Sequence, residues 1–298
     1  MVNIVAVPEV PENQRGSGAI HPRYDDIAQD GRPRLELLAH GISVSVWEGP
    51  VKQLDVASLV SRGIIPILTR IVIEANDGPF AVESPIDAIG CYEGAYAKTQ
   101  AGERLYVNMW ANMTAPIGRT ILPAPSNAGE RVAAGRMYAE HVFTKPFAPK
   151  DQRRVTVHDL AKFGSTPARR IEARQYADVV DLSDLRALDD AFGRPCSPFA
   201  FGMRHTDSNQ HVNSLVYFGL FEEAALAAIG AKQRGTQVMA RAIEIAYRKP
   251  SFAGQVMQPW VRLADGDDGV HAACLLMPVG ADPADLSQPF VYAHLTMR

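Results

Sequence analysis

Eight consecutive residues, Asp207-Ser208-Asn209-Gln210-His211-Val212-Asn213-Ser214, place a carboxylate, an amide and an imidazole within five positions. Asp207 and His211 can each take or give a proton, and Asn209 carries both a donor and an acceptor between them. The apolar run that follows, Asn213 to Ile229, reads as a helix stopped by Gly230. A helix beginning there turns its unpaired backbone N–H groups toward the loop. Such an end stabilises negative charge developing on oxygen, as attack on an acyl carbonyl requires. Tyr217 and the adjacent acids Glu222 and Glu223 lie on the same run. Neighbouring helical side chains project about 100° apart, so one glutamate can face the pocket while the other is solvated. Asp and Asn also suit any turn that leads into a helix. The three groups together, ahead of a long apolar helix, carry the catalytic reading; His205, on the other side of a strand, is read as structural.

These residues need elements to hold them. The run Ser197 to Arg204 reads as a strand that delivers the loop, and Asn213 as the helix N-cap. Apolar residues surround the helix on every side, with only Glu222 and Glu223 charged, so it must be buried and wrapped by a sheet. Four strands follow: Gln237 to Arg248, Gln255 to Ala264, Val270 to Pro278 and Pro289 to Met297. The first half shows the same order. Arg34 to Gly49 reads as a strand, Gln53 to Arg62 as a short helix ended by Gly63, and four strand-like runs occupy Ile64 to Ala75, Ile86 to Ala97, Arg104 to Met113 and Val132 to Phe143. Residues 1–33, with Pro8, Pro11, Pro22 and Pro33, read as a surface arm. Residues 146–196 read as a connection with short helices near Val157 to Phe163 and Leu182 to Phe192, its basic residues being a solvated face. The expected division is therefore an arm, a unit over 34–145, a connection, and a unit over 197–298. At the first unit's bend stand Trp47, Glu48, Gly49, Pro50 and Asp55 without a neighbouring His or Asn, so that unit is read as lacking a site of its own. Trp110 and Trp260 fall on strands and read as core or pocket wall.

Composition narrows the classes. With 47% hydrophobic and 21% charged residues the chain reads as soluble and globular. A formal charge of -3 gives no reason to expect nucleic acid or an anionic membrane as partner. Cys91, Cys196 and Cys274 lack metal-ligand spacing and read as reduced residues of a cytoplasmic protein. No phosphate-binding glycine fingerprint, HExxH pattern or GxSxG elbow occurs, so neither a cofactor nor a metal is expected.

A sheet curled round one helix is the hotdog arrangement, and the fold class expected is α+β, a tandem hotdog. Asp207 to Ser214 with Tyr217, Gly219 and Glu222 closely resembles the active-site segment of plant-type and bacterial acyl-acyl-carrier-protein thioesterases. Ala246-Tyr247-Arg248-Lys249-Pro250 resembles a strand end of the wider 4-hydroxybenzoyl-CoA thioesterase group. The resemblance implies thioester hydrolysis, with catalytic roles for Asp207, Asn209 and His211. It also implies one for Glu222, near where another class of hotdog thioesterases has its glutamate. Asn213, Ser214 and Tyr217 are expected to contact the substrate, an acyl-CoA or acyl-carrier-protein thioester. The chain departs from the carrier-protein enzymes at Pro250 and Ser251, where they have an acidic residue and a cysteine. Two other functions fit the same fold. A hotdog enoyl-thioester hydratase or dehydratase would have Gly before the aspartate and Pro after the asparagine, where this chain has Thr206 and Gln210. Its histidine would also lie one residue further on. A non-catalytic acyl-thioester binder is the third reading. Either a monomer or a homodimer is compatible with a fused pair of units.

Overall fold

The computed structural model describes residues 2, 4–54, 56–99, 102–119, 123–155, 169–235 and 238–298. The chain divides into two compact units, Ile4–Arg174 and Gln175–Arg298. In the first, β1 (Arg15–Ile20) precedes two short helical segments, α1 (Leu35–Leu38) and α2 (His40–Ile42), which run on into a π-helical turn at Ser43–Trp47. After α3 (Val56–Ser61) come β2 (Ile65–Ala75), β3 (Ile86–Thr99), β4 (Gly102–Pro116) and β5 (Arg131–Thr144). They pair antiparallel in the order β1-β3-β4-β5-β2, and β6 (Arg169–Arg170) adds a short parallel pairing to β3.

Two expectations are corrected here. Within Arg34 to Gly49, expected as a strand, Leu35 to Trp47 is helical and buries Leu35, Leu37, Leu38, Ile42 and Val46. The strand of this unit lies earlier, within the residues read as an arm: Arg15–Ile20 pairs with Cys91 to Ile86. Its glycines explain both facts. A β-carbon at Gly16 would run into the carbonyl oxygen of Ser45, and one at Gly18 into that of Val44. The helical segment thus rests backbone to backbone on β1, which only glycine permits. Strand, helix and four strands is still the order of elements.

The second unit begins with residues expected to be a linker. Val179, Val180 and Leu182 pack against Ala246, Trp260, Leu275, Met277 and Tyr292 of its sheet. The helix expected over Leu182 to Phe192 is absent: β7 (Arg186–Ala187) pairs with the edge of the sheet instead. The helix expected near Val157 to Phe163 lies outside the described residues. The strand expected over Ser197 to Arg204 shrinks to β8 (Phe199–Ala200), followed by a 3-10 turn at Met203–His205. Then come α4 (Val216–Ala231), β9 (Ala240–Tyr247), β10 (Val256–Gly266), β11 (Gly269–Pro278) and β12 (Val291–Met297). The antiparallel order is β9-β12-β11-β10, with β7 and β8 both on β10. Helix α4 buries Tyr217, Phe218, Leu220, Phe221, Ala224, Ala225 and Ile229, and leaves a narrow stripe at Glu223 and Ala227 in water. Trp110 and Trp260 are core residues, as read.

Candidate active site

The Asp207 segment forms a tight hairpin. Thr206 bridges Val212, the Asp207 N–H donates to the His211 carbonyl at 3.2 Å, and the Gln210 N–H donates to the Asp207 carbonyl at 2.9 Å. Gln210 takes φ 67°, the left-handed conformation that glycine or asparagine adopts more easily. That conformation costs an ordinary residue about 1–2 kcal/mol, part of which a glycine returns as unfolded-state entropy. Gln210→Gly should therefore raise the unfolding free energy by roughly 0.5–1 kcal/mol. A chemical-denaturation midpoint that stays put or falls would show that no strain resides there.

The hairpin fixes the carboxylate. Asp207 Oδ1 accepts from the Asn209 N–H at 2.8 Å, and Oδ2 accepts from Asn213 Nδ2 at 3.2 Å. Asn213 is not the N-cap expected from the sequence: the N-cap of α4 is Leu215, with no side-chain cap, and Asn213 instead closes the turn before it, its Oδ1 accepting from the Leu215 N–H at 2.9 Å. Helix α4 itself starts three residues beyond Asn213. The Asn209 side chain is exposed, and His211 is half-buried with its Nδ1 a long 3.4 Å from the Val212 carbonyl. No hydrogen bond joins the His211 ring to Asp207 or Asn209.

Beneath the hairpin lies an aromatic floor. The Val212 N–H donates to the carbonyl of buried Ser251 at 2.8 Å, and the Tyr247 hydroxyl donates to the Ser214 carbonyl at 3.1 Å. Tyr217 meets Tyr247 and Phe201 edge to face, with ring centroids 5.8 Å apart in each pair. Burial pushes the Tyr217 phenol up, with Ser251 partly offsetting it, and pushes the Tyr247 phenol well above its ordinary value. Both therefore stay protonated as donors. Tyr217 is only 2% exposed and belongs to this floor. His205 packs on Phe199 and Phe201 and accepts the Gly202 N–H on Nδ1, a structural role as read.

Asp207, Asn209 and Asn213 are thus brought together, with His211 on the same hairpin. Glu222 is not bonded to any of them: its Oε1 accepts from the Ala240 N–H at 2.9 Å, which ties α4 to the start of β9. Tyr247 and Ser251 anchor the site, although the sequence pointed to them only as part of a familiar strand end and as a departure from it, with no role at the site. Their signal was present in the run Ala246 to Ser251, but its spacing from Asp207 shows nothing until β9 is folded against the loop. Among the described residues no group of three or more His, Cys, Asp or Glu side chains is placed to hold a metal ion.

A curled antiparallel sheet with a helix on its inner face, occurring twice in one chain, is a double hotdog. No protein-family profile and no curated protein sequence matches the chain. Solved structures do. An acyl-ACP thioesterase from Bacteroides thetaiotaomicron superposes with a TM-score of 0.57 at 13% identity, over 96% of this chain and 99% of that one. The 12:0-ACP thioesterase from Umbellularia californica gives 0.56 at 14% identity, over 95% and 93%. A Lactobacillus plantarum protein assigned as an oleoyl thioesterase gives 0.61 at 13% identity, over 95% of each chain. At such identities the likeness establishes the fold.

Proposed function

We propose that the chain hydrolyses acyl thioesters, with coenzyme A or an acyl carrier protein as the thiol. The observation that carries this reading is the hairpin that clamps the Asp207 carboxylate between two donors at the approach to α4. Asp207 takes a proton from water as the water oxygen attacks the acyl carbonyl. The carbonyl oxygen gains negative charge, which the Ser214 N–H stabilises, the neighbouring N–H groups of Asn213, Leu215 and Val216 being bonded within the chain. As the tetrahedral intermediate collapses, the carbon–sulfur bond breaks and the proton passes to the departing sulfur, giving a carboxylic acid and a free thiol. His211 and Asn209 orient the water and the sulfur. Each donor to the developing oxyanion is worth roughly 100- to 1,000-fold in such reactions. Glu222, bonded to the Ala240 N–H, acts in this reading through the shape of α4 more than through the chemistry.

The names of the two acyl-carrier-protein enzymes with the same fold support this substrate class. So does the match of Asp207, Asn209 and His211 to that family's motif. The test is a panel of acyl-CoA and acyl-carrier-protein thioesters of differing chain length, read by thiol release. Catalytic release from at least one of them is expected. Hydration of an enoyl thioester without thiol release would replace the reading with a hydratase, and protection of the thioester from hydrolysis would replace it with a binding protein.

A further inference from the structure

Asn213 commits each of its polar groups within the chain. Its N–H donates to the His205 carbonyl at 2.9 Å, and its carbonyl accepts from the Val216 N–H at 3.1 Å. Its Oδ1 accepts from the Leu215 N–H at 2.9 Å, while its Nδ2 donates to Asp207 Oδ2 at 3.2 Å. The second and third close the turn that leads into α4, whose N-cap is Leu215. The fourth serves no turn. An aspartate in a turn routinely accepts from the N–H two residues on, as Asp207 does from Asn209. That single bond leaves the carboxylate free to swing about its last torsion. A second donor on the other oxygen fixes the plane.

We infer that Asn213 is a positioning residue for Asp207, and not the substrate contact the sequence suggested. One amide joins the turn that leads into α4 to the carboxylate, with its oxygen on the Leu215 N–H and its nitrogen on Asp207 Oδ2. Only an amide serves both partners. Aspartate can accept from the Leu215 N–H equally well but brings no donor, and it would set a second negative charge against Asp207. Serine can accept there too, but its shorter side chain cannot span to Asp207 while bonded to Leu215. Position 213 therefore carries a requirement beyond holding that turn, and that difference can be measured.

The kinetic consequence rests on the proposed thioesterase reading; the bond itself does not. The experiment exchanges the partners. Asn213→Asp should lower the melting temperature and cut kcat about tenfold or more, with KM within about twofold, since a misplaced group loses rate more than binding. Asn213→Ser, which keeps an acceptor for the Leu215 N–H, should lose a similar factor in kcat and stay near the wild-type melting temperature. The double variant Asp207→Asn/Asn213→Asp puts the donor on the opposite side of the same bond. It should regain the melting temperature lost by Asn213→Asp alone while remaining inactive. A residue that merely holds the turn predicts the opposite: Asn213→Asp and Asn213→Ser hydrolysing at wild-type rates, and no thermal recovery in the double variant. Either result overturns the inference. Should the wild-type protein hydrolyse no thioester, the proposed function fails, and the thermal cycle still decides the Asn213–Asp207 bond.

Discussion

Replacing Asp207 by asparagine should lower turnover at least about a hundredfold, the usual loss when a positioned acid–base group is removed. The melting temperature should fall by only a few degrees. Asparagine keeps the shape of the side chain, and its oxygen can still accept from the Asn209 N–H that now bonds Oδ1, although its Nδ2 then faces Asn213 Nδ2 and that one bond is lost. What it cannot do is take a proton from water. Glu222→Gln gives the discriminating comparison, because Glu222 is the carboxylate on α4 that the sequence also offered as catalytic, and it is bonded to the Ala240 N–H. A loss confined to kcat in Asp207→Asn, with the Glu222 variant reduced only as far as its stability falls, is the expected pattern. Near-normal turnover in Asp207→Asn with an inactive Glu222→Gln would make the helix glutamate the base.

Acid should destabilise the fold through histidines that it keeps neutral. His141 is buried against the edge of Trp47, with ring centroids 5.5 Å apart, and its Nδ1 has no hydrogen-bond partner. Burial pushes its pKa down to about 4. His294, bonded to His271 at 2.9 Å, is pushed down to about 3 by burial and by His271. An unfolded histidine titrates near about 6.5. Above that pH neither state binds a proton, and stability is at its full value. As pH falls from there toward about 4, the unfolded chain takes up protons that the folded interior refuses, so the equilibrium moves toward unfolding. Each such histidine costs up to about 1.4 kcal/mol per pH unit in the window. Urea denaturation at a series of pH values, compared between the wild type and His141→Gln, measures the effect. The variant should show the shallower loss. Equal slopes would mean that buried neutral histidine is not what acid attacks.

How far the fold could be read depended on what each element answers to. Strands β2 to β5 and β9 to β12 are half-buried or buried runs of β-branched and aromatic residues, and their periodicity is set by the element itself. Helix α4 was equally legible, because apolar residues on nearly every side have few other solutions. Ser43 to Trp47 misled because Ser-Val-Ser-Val-Trp alternates as a strand does, yet it lies in a π-helical turn. Ser45 returns its hydroxyl to the Gly41 carbonyl at 2.6 Å, and the packing of Val46 overrides its local preference. Arg15 to Ile20 was passed over for the opposite reason: its glycines weaken a strand locally and are needed by a partner far along the chain. At the site, the residue types were visible in one short segment. The bond from Asn213 to Asp207 spans six positions and exists only because Thr206 and Val212 close the hairpin between them.

The contact of β1 with the helical segment above it also limits how the first unit can be redesigned. At positions 16 and 18 the obstacle to a side chain is a main-chain carbonyl, which cannot rotate out of the way as a side-chain end can. Those two sites are closed to diversification, whatever the chemistry of the replacement. Met113 is a different kind of neighbour: its flexible thioether lies where a side chain at Gly41 would go. A library meant to reshape this interior can hold 16 and 18 constant and take its variation in volume from places like that one, where the surroundings are free to rearrange.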